Sequence, residues 1–121
     1  MDSDELIQQV ADDADLPLES AEHVTKAIVG VLLDHLSGED GEQLLDRLPV
    51  GLAEGVQPNK AATPMTVEEF LERVVASTEA DEAAAERAAR ALFALLPEAV
   101  GDEEYERVQR QLDPTLKQLA A

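Results

Sequence analysis

The sequence predicts an all-α protein: two tandem repeats of a three-to-four-helix unit, packed into one compact, bundle-like domain. Three observations carry this expectation. The chain matches itself without a gap when Glu5 is laid on Glu69. Its apolar residues recur at helical spacing, and no stretch alternates as a half-buried strand does. Hydrophobic residues make up 45% of its 121 positions, enough for a core without disulfide or metal staples.

The same 64-residue shift places Val10 on Val74, Ala21 on Ala85, Ala27 on Ala91, Leu32 on Leu96, Leu48 on Leu112 and Leu52 on Leu116. Conservative pairs, such as Leu6 with Phe70 and Ile28 with Leu92, fall between them. The matches concentrate on apolar helix positions and helix starts, as a duplicated helical unit requires. The expected organisation is a single domain over 1–121, with repeat one at 2–56, a linker at 57–65 that holds Pro58 and Pro64, and repeat two at 66–121.

Each repeat opens with a short, one-sided helix. Asp2 with Glu5, and Thr66 with Glu69, have the spacing of a capping box, in which cap oxygen and carboxylate satisfy each other's free amides. The stripe that follows is Leu6, Ile7, Val10 and Ala14 in one copy and Phe70, Leu71, Val74 and Val75 in the other. A longer second helix is entered through Asp15-Leu16-Pro17 or Glu79-Ala80-Asp81. Its apolar residues run from Ala21 to Leu36 and from Ala85 to Val100, covering roughly half the circumference at about 100° per residue. Stripes so wide belong on central helices packed on two sides.

The third helix follows a Gly-containing turn, Ser37-Gly38 or Gly101-Asp102. It presents Leu44, Leu45 and Leu48, or Tyr105, Val108 and Leu112. Pro49 and Pro114 suit the first position of a further short helix, where a missing N–H costs nothing, and Asp113 suits the cap of the second.

The run Val67-Glu68-Glu69-Phe70-Leu71-Glu72-Arg73-Val74, the Ala/Leu-rich helix from Glu86 to Leu96 and the corner Leu44-Leu45-Asp46-Arg47-Leu48-Pro49 resemble the bacterial and archaeal family called domain of unknown function 2267. The resemblance covers essentially the whole chain. It implies a small, compact α-helical protein without an assigned activity and supplies no catalytic residues. The second copy departs from the corner, reading Leu112-Asp113-Pro114, with its proline one residue late.

Charge narrows the partners. With 27 acidic and 9 basic side chains the formal net charge is -18, which repels phosphate backbones and anionic bilayers, so neither nucleic acid nor membrane is expected as a partner. Acidity runs through both halves, 14 acidic to 3 basic before residue 63 and 13 to 6 after, as a salt-adapted or solubilising surface would have it; a basic partner is the other explanation. The start Met1-Asp2-Ser3-Asp4-Glu5 is acidic where a leader is basic, and the apolar run Ile28 to Leu33 is far short of a membrane span, so a cytoplasmic protein is expected.

The motifs of chemistry fail on spacing. Cysteine is absent, which excludes disulfides, thiolate zinc sites and a cysteine nucleophile. His23 and His35 lie on one helix about 120° and about 18 Å apart, too far to share a metal. His35, near a helix end, suits a bond to a free carbonyl; His23, on the polar face, suits solvent. Asp12, Asp13 and Asp15 imitate the opening of a calcium loop, but Leu18 and Val24 stand where its Gly and bidentate Glu belong. Glu22–Lys26, Glu69–Arg73, Glu86–Arg90, Glu103–Arg107 and Glu106–Arg110 have the spacing of surface ion pairs.

No catalytic, cofactor-binding or metal-binding residue is assigned, and no cofactor is expected. The sequence therefore points to a non-enzymatic protein, a protein–protein interaction or self-association module that docks a partner, or a second copy in a homo-oligomer, in a groove between the units. The alternatives are a carrier of a small apolar ligand around Ala88, Leu92 and Phe93, and an acidic regulator of a basic protein. Features confined to one copy, His35, the three aromatics and the second half's excess of arginine, are where a specific function should be sought.

Overall fold

In a computed structural model, which describes residues 1–36, 38–54, 56–57 and 61–120, the described residues form seven α-helices and a terminal 3₁₀ helix. No strand occurs among them. The helices are α1 (Ser3–Ala14), α2 (Leu18–His35), α3 (Gly38–Arg47), α4 (Val50–Ala53), α5 (Val67–Ala76), α6 (Glu82–Val100) and α7 (Asp102–Gln111), followed by the 3₁₀ helix Leu116–Ala120. The shift that lays Glu5 on Glu69 also lays the start of α1 on that of α5, the start of α2 on that of α6, and the start of α3 on that of α7. No helix among the described residues is long and apolar enough to cross a membrane.

Local chemistry sets these boundaries. The Asp2 carboxylate accepts the Glu5 amide at 2.8 Å, and Asp81 accepts that of Ala84 at 2.8 Å. At α5 both halves of the capping box close, each at 3.2 Å between Thr66 and Glu69. Asp15 turns α1 off in the left-handed region, at φ 56°, and Pro17 then admits the chain to α2. Gly101, at φ 95°, makes the tight corner between α6 and α7 that a side chain would strain. Pro97 lies inside α6, near its end, where its missing N–H interrupts the ladder for only the last turn.

The stripes meet in one continuous core that runs from Leu6 to Leu119 and draws on both halves. Helix α1 lies against α2 and α6, while α5 lies against the same two helices from the other half's side. The long helices touch each other, α3 pairs with α7, α4 packs beneath α1 and α2, and the 3₁₀ helix packs on α5 and α6. Helix α6 thus contacts α1, α2, α3, α5, α7 and the 3₁₀ helix, which explains why its apolar residues extend so far around its circumference.

Several expectations need correction. Pro49 caps α4 from outside instead of opening it. Pro114 lies in the turn before the 3₁₀ helix, where the Asp113 carbonyl receives the amides of Leu116 and Lys117 at 2.9 and 3.3 Å. The late proline has changed the last element, and the Asp113 carboxylate is turned away to accept the Met65 amide at 2.9 Å. Of the five ion pairs only Lys26–Glu22, at 3.1 Å, and Arg90–Glu86, at 3.7 Å, are closed. Glu69 is committed to its cap, and an exposed pair gains too little to hold two long side chains in place. Ser37 and much of the linker, Pro58 to Lys60, lie outside the described residues.

Thr25 is the exception in the core: fully buried, standing where the second half has the equally buried Ala89, with a hydroxyl that has no hydrogen-bond partner. A methyl of the same shape removes that desolvation cost. Thr25→Val is expected to raise stability by about 1 kcal/mol in urea denaturation, with an unchanged m value.

Candidate functional site

A cleft of about 640 Å³ opens where the first half meets the second. Pro17, Glu19, Ser20 and His23 line it from the start of α2, and Ala76, Ser77, Thr78 and Glu79 line it from the end of α5 and the turn to α6. A recess of about 100 Å³ adjoins it and shares Ser20, His23, Thr78 and Glu79. Leu16, Val24, Ala80 and Ala84 add an apolar wall to that recess.

One difference between the halves falls at this opening. Arg87 occupies in the second half the position of His23 in the first and reaches from α6 to the end of α1, where its Nε donates to the Ala14 carbonyl at 2.9 Å. The matching contact would run from residue 23 on α2 to Thr78 at the end of α5. An imidazole is shorter than an arginine, and His23 is exposed at the cleft wall. At the end of α5 the Ser77 hydroxyl donates to the Arg73 carbonyl at 3.1 Å and the Thr78 hydroxyl to the Val74 carbonyl at 3.0 Å. These back-bonds stop α5 at Ala76, two residues short of the point that matches the end of α1.

His35 is placed quite differently. It is 3% exposed and both ring nitrogens are engaged: Nδ1 donates to the Thr63 carbonyl at 2.9 Å, and Nε2 accepts the Asp113 amide at 3.1 Å. Accepting at Nε2 assigns the proton to Nδ1. The expected bond from this imidazole to a carbonyl is present, but the carbonyl belongs to the segment between the halves and not to its own helix. The Asp34 carbonyl receives the Thr63 amide at 3.0 Å, and Thr115 Oγ1 receives that of Val67 at 2.9 Å, so His35 is part of a structural junction.

Sequence reasoning passed over one titratable group. Glu104, on α7, is 6% exposed, and its Oε2 has no hydrogen-bond partner. Burial pushes its carboxyl above the ordinary value of 4.5; Arg107 and Arg47 pull it down, and Asp40 adds to the rise. Asp40 occupies the matching position on α3 in the first half, so the two acids mark the α3–α7 seam. The repeat alignment held that signal, an acid in both copies on a helix face otherwise occupied by Leu44 and Val108.

The apolar interior offers no comparable site. Ala88, Leu92 and Phe93 are at most 1% exposed and belong to the closed core. The wide stripes are used up inside: the large hydrophobic residues left exposed among those described are Met1, Leu18 and Val50. Among the described residues no group of three His, Asp or Glu side chains could hold a metal ion.

The family model described as an uncharacterized conserved protein, DUF2267, covers residues 3–119. No curated protein matches the chain.

Two predictions follow the geometry. Arg87→Ala is expected to cost about 1 kcal/mol, because it frees the Ala14 carbonyl, whereas His23→Arg is expected to raise the melting temperature by bridging to the end of α5; calorimetry on both variants checks the pair. For Glu104, the raised value means that the folded chain holds the proton more tightly than the unfolded one. That stabilisation is fully present below 4.5 and is lost as pH rises through the higher folded-state value. Glu104→Gln should therefore melt above wild type near neutral pH and lose its advantage below pH 4.5, in melting curves recorded across that range.

Proposed function

The chain belongs to this family of uncharacterized conserved proteins, and we propose that it is a non-enzymatic protein-interaction module, built from two copies of one helical unit, that docks its partner in the cleft between them. The duplication is supported by the common spacing of three pairs of helix starts and by reciprocal packing, in which the first helix of each half lies on the long helix of the other.

The observation that carries the docking reading is the inequality of two otherwise matching corners. One is bridged by Arg87, which bonds the end of α1; the other, with His23 in its place, is an open cleft of about 640 Å³. A volume within the range of about 300–1,000 Å³ suits recognition of a ligand or a short segment. The lining favours binding over reaction. Ser77 and Thr78 have their hydroxyl protons committed to backbone carbonyls, so neither is poised as a nucleophile. Self-association is the weaker form of the reading, because two copies with a net charge of -18 each repel one another at low salt.

Site-specific photocrosslinking in the producing cell tests the proposal. A photoreactive residue at Ser20, in the cleft, is expected to give a discrete adduct that disappears when His23→Arg closes the corner. A probe at the exposed Glu98 should not give that adduct. The same adducts from both positions, or adducts that survive His23→Arg, would sink the proposal.

A further inference from the structure

We propose that the cleft between α2 and the α5–α6 turn takes a cationic segment of a partner protein, one lysine or arginine side chain entering the recess beside Glu79. The inference rests on the docking reading above and gives it a chemical class. Charge is the first ground. Glu19 and Glu79 are carboxylates on opposite walls, and no lysine or arginine lines either the cleft or its recess. A concave surface of one sign with low-dielectric walls focuses the field, and here the field is that of a chain carrying -18.

The shape of the recess is the second ground, independent of charge. Leu16, Val24, Ala80 and Ala84 form an apolar wall, and Glu79 shares the space. A lysine or arginine has the matching profile, an apolar stem that gains by burial and a charged head that must stay solvated or paired. An acidic side chain would meet Glu79 with its own charge, and a purely apolar one would leave that carboxylate desolvated without a counter-charge. Glu19 lies in the first turn of α2, a helix start without a side-chain cap at Pro17.

Three ten-residue peptides, alternating Ala with Lys, Glu or Ser, serve as probes in calorimetric and NMR titrations of the whole chain. The Lys peptide is expected to bind, with shifts at the amides of Ser20, His23 and Ala80, and to weaken as salt rises. The double variant Glu19→Gln, Glu79→Gln should weaken it at least about tenfold more than Glu72→Gln, Glu98→Gln, which removes the same charge from exposed sites elsewhere. Equal weakening by the two double variants would mean diffuse attraction and would overturn the inference. Binding of the Ser peptide in the cleft, with the Lys peptide excluded, would overturn the cationic class but leave the docking reading standing. Failure of every peptide, together with no adduct from Ser20, would remove both.

Discussion

The chain crosses from its first half to its second at a single buried imidazole. The His35 ring holds the Thr63 carbonyl with one nitrogen and the Asp113 amide with the other, so the end of α2, the crossing segment and the last turn of the chain meet at one side chain. Around it Met65 and Val67 give their amides to Asp113 and Thr115. Each of these backbone groups, if buried without a partner, would cost about 1–3 kcal/mol, which makes the junction cooperative: losing one member exposes the cost of the others. The crossing places α5 on α2, and that placement leaves α1 free to lie along α6.

The two halves use the same scaffold but finish its corners with different chemistry. At the end of α1 the Ala14 carbonyl is satisfied by an arginine from the other half; at the end of α5 the Ser77 and Thr78 hydroxyls bond back to the carbonyls of Arg73 and Val74, one turn earlier. Helix α5 ends two residues earlier than the point that matches the end of α1, and a histidine stands at position 23. The cleft therefore lies where two matching helix ends are finished differently, and not over a missing core residue. The buried side chains around it, Val24 and Ala84, are as well covered as the rest of the core.

Features that depend on neighbours along the chain are legible in the sequence itself. The stripes of α1, α2, α5 and α6 name the core almost residue by residue, and the caps at Asp2, Thr66 and Asp81 mark three helix starts. Features that depend on contacts between distant residues are not. Nothing in the spacing of His35 and Asp113, 78 residues apart, announces that a ring nitrogen of one accepts the amide of the other. The proline that arrives one residue late at Pro114 signals an altered last helix, but only the fold shows that the freed Asp113 carboxylate is used to hold Met65. The cleft itself is half legible. His23 and Arg87 are aligned by the repeat, yet the consequence of the difference depends on Ala14 and the end of α5 being brought within reach of α6 and α2.

Where the few cations go bears directly on the character of the surface. Arg87 and Arg90 both donate to carbonyls, of Ala14 and Gln118, at 2.9 Å, so part of the positive charge is engaged in sealing helix ends. Most of the carboxylates have no comparable internal duty beyond their caps, and Glu104 is the one buried among those described. Acid is thus left facing solvent on every helix from α1 to α7 except the four-residue α4, whose residues carry none. On a convex surface such charge is screened within about 8 Å at physiological salt. In a recess with apolar walls it is screened less, because solvent and counterions have less access. In the proposed docking cleft the carboxylates of Glu19 and Glu79 are therefore screened less than those on the convex surface, at the corner where histidine stands in place of arginine.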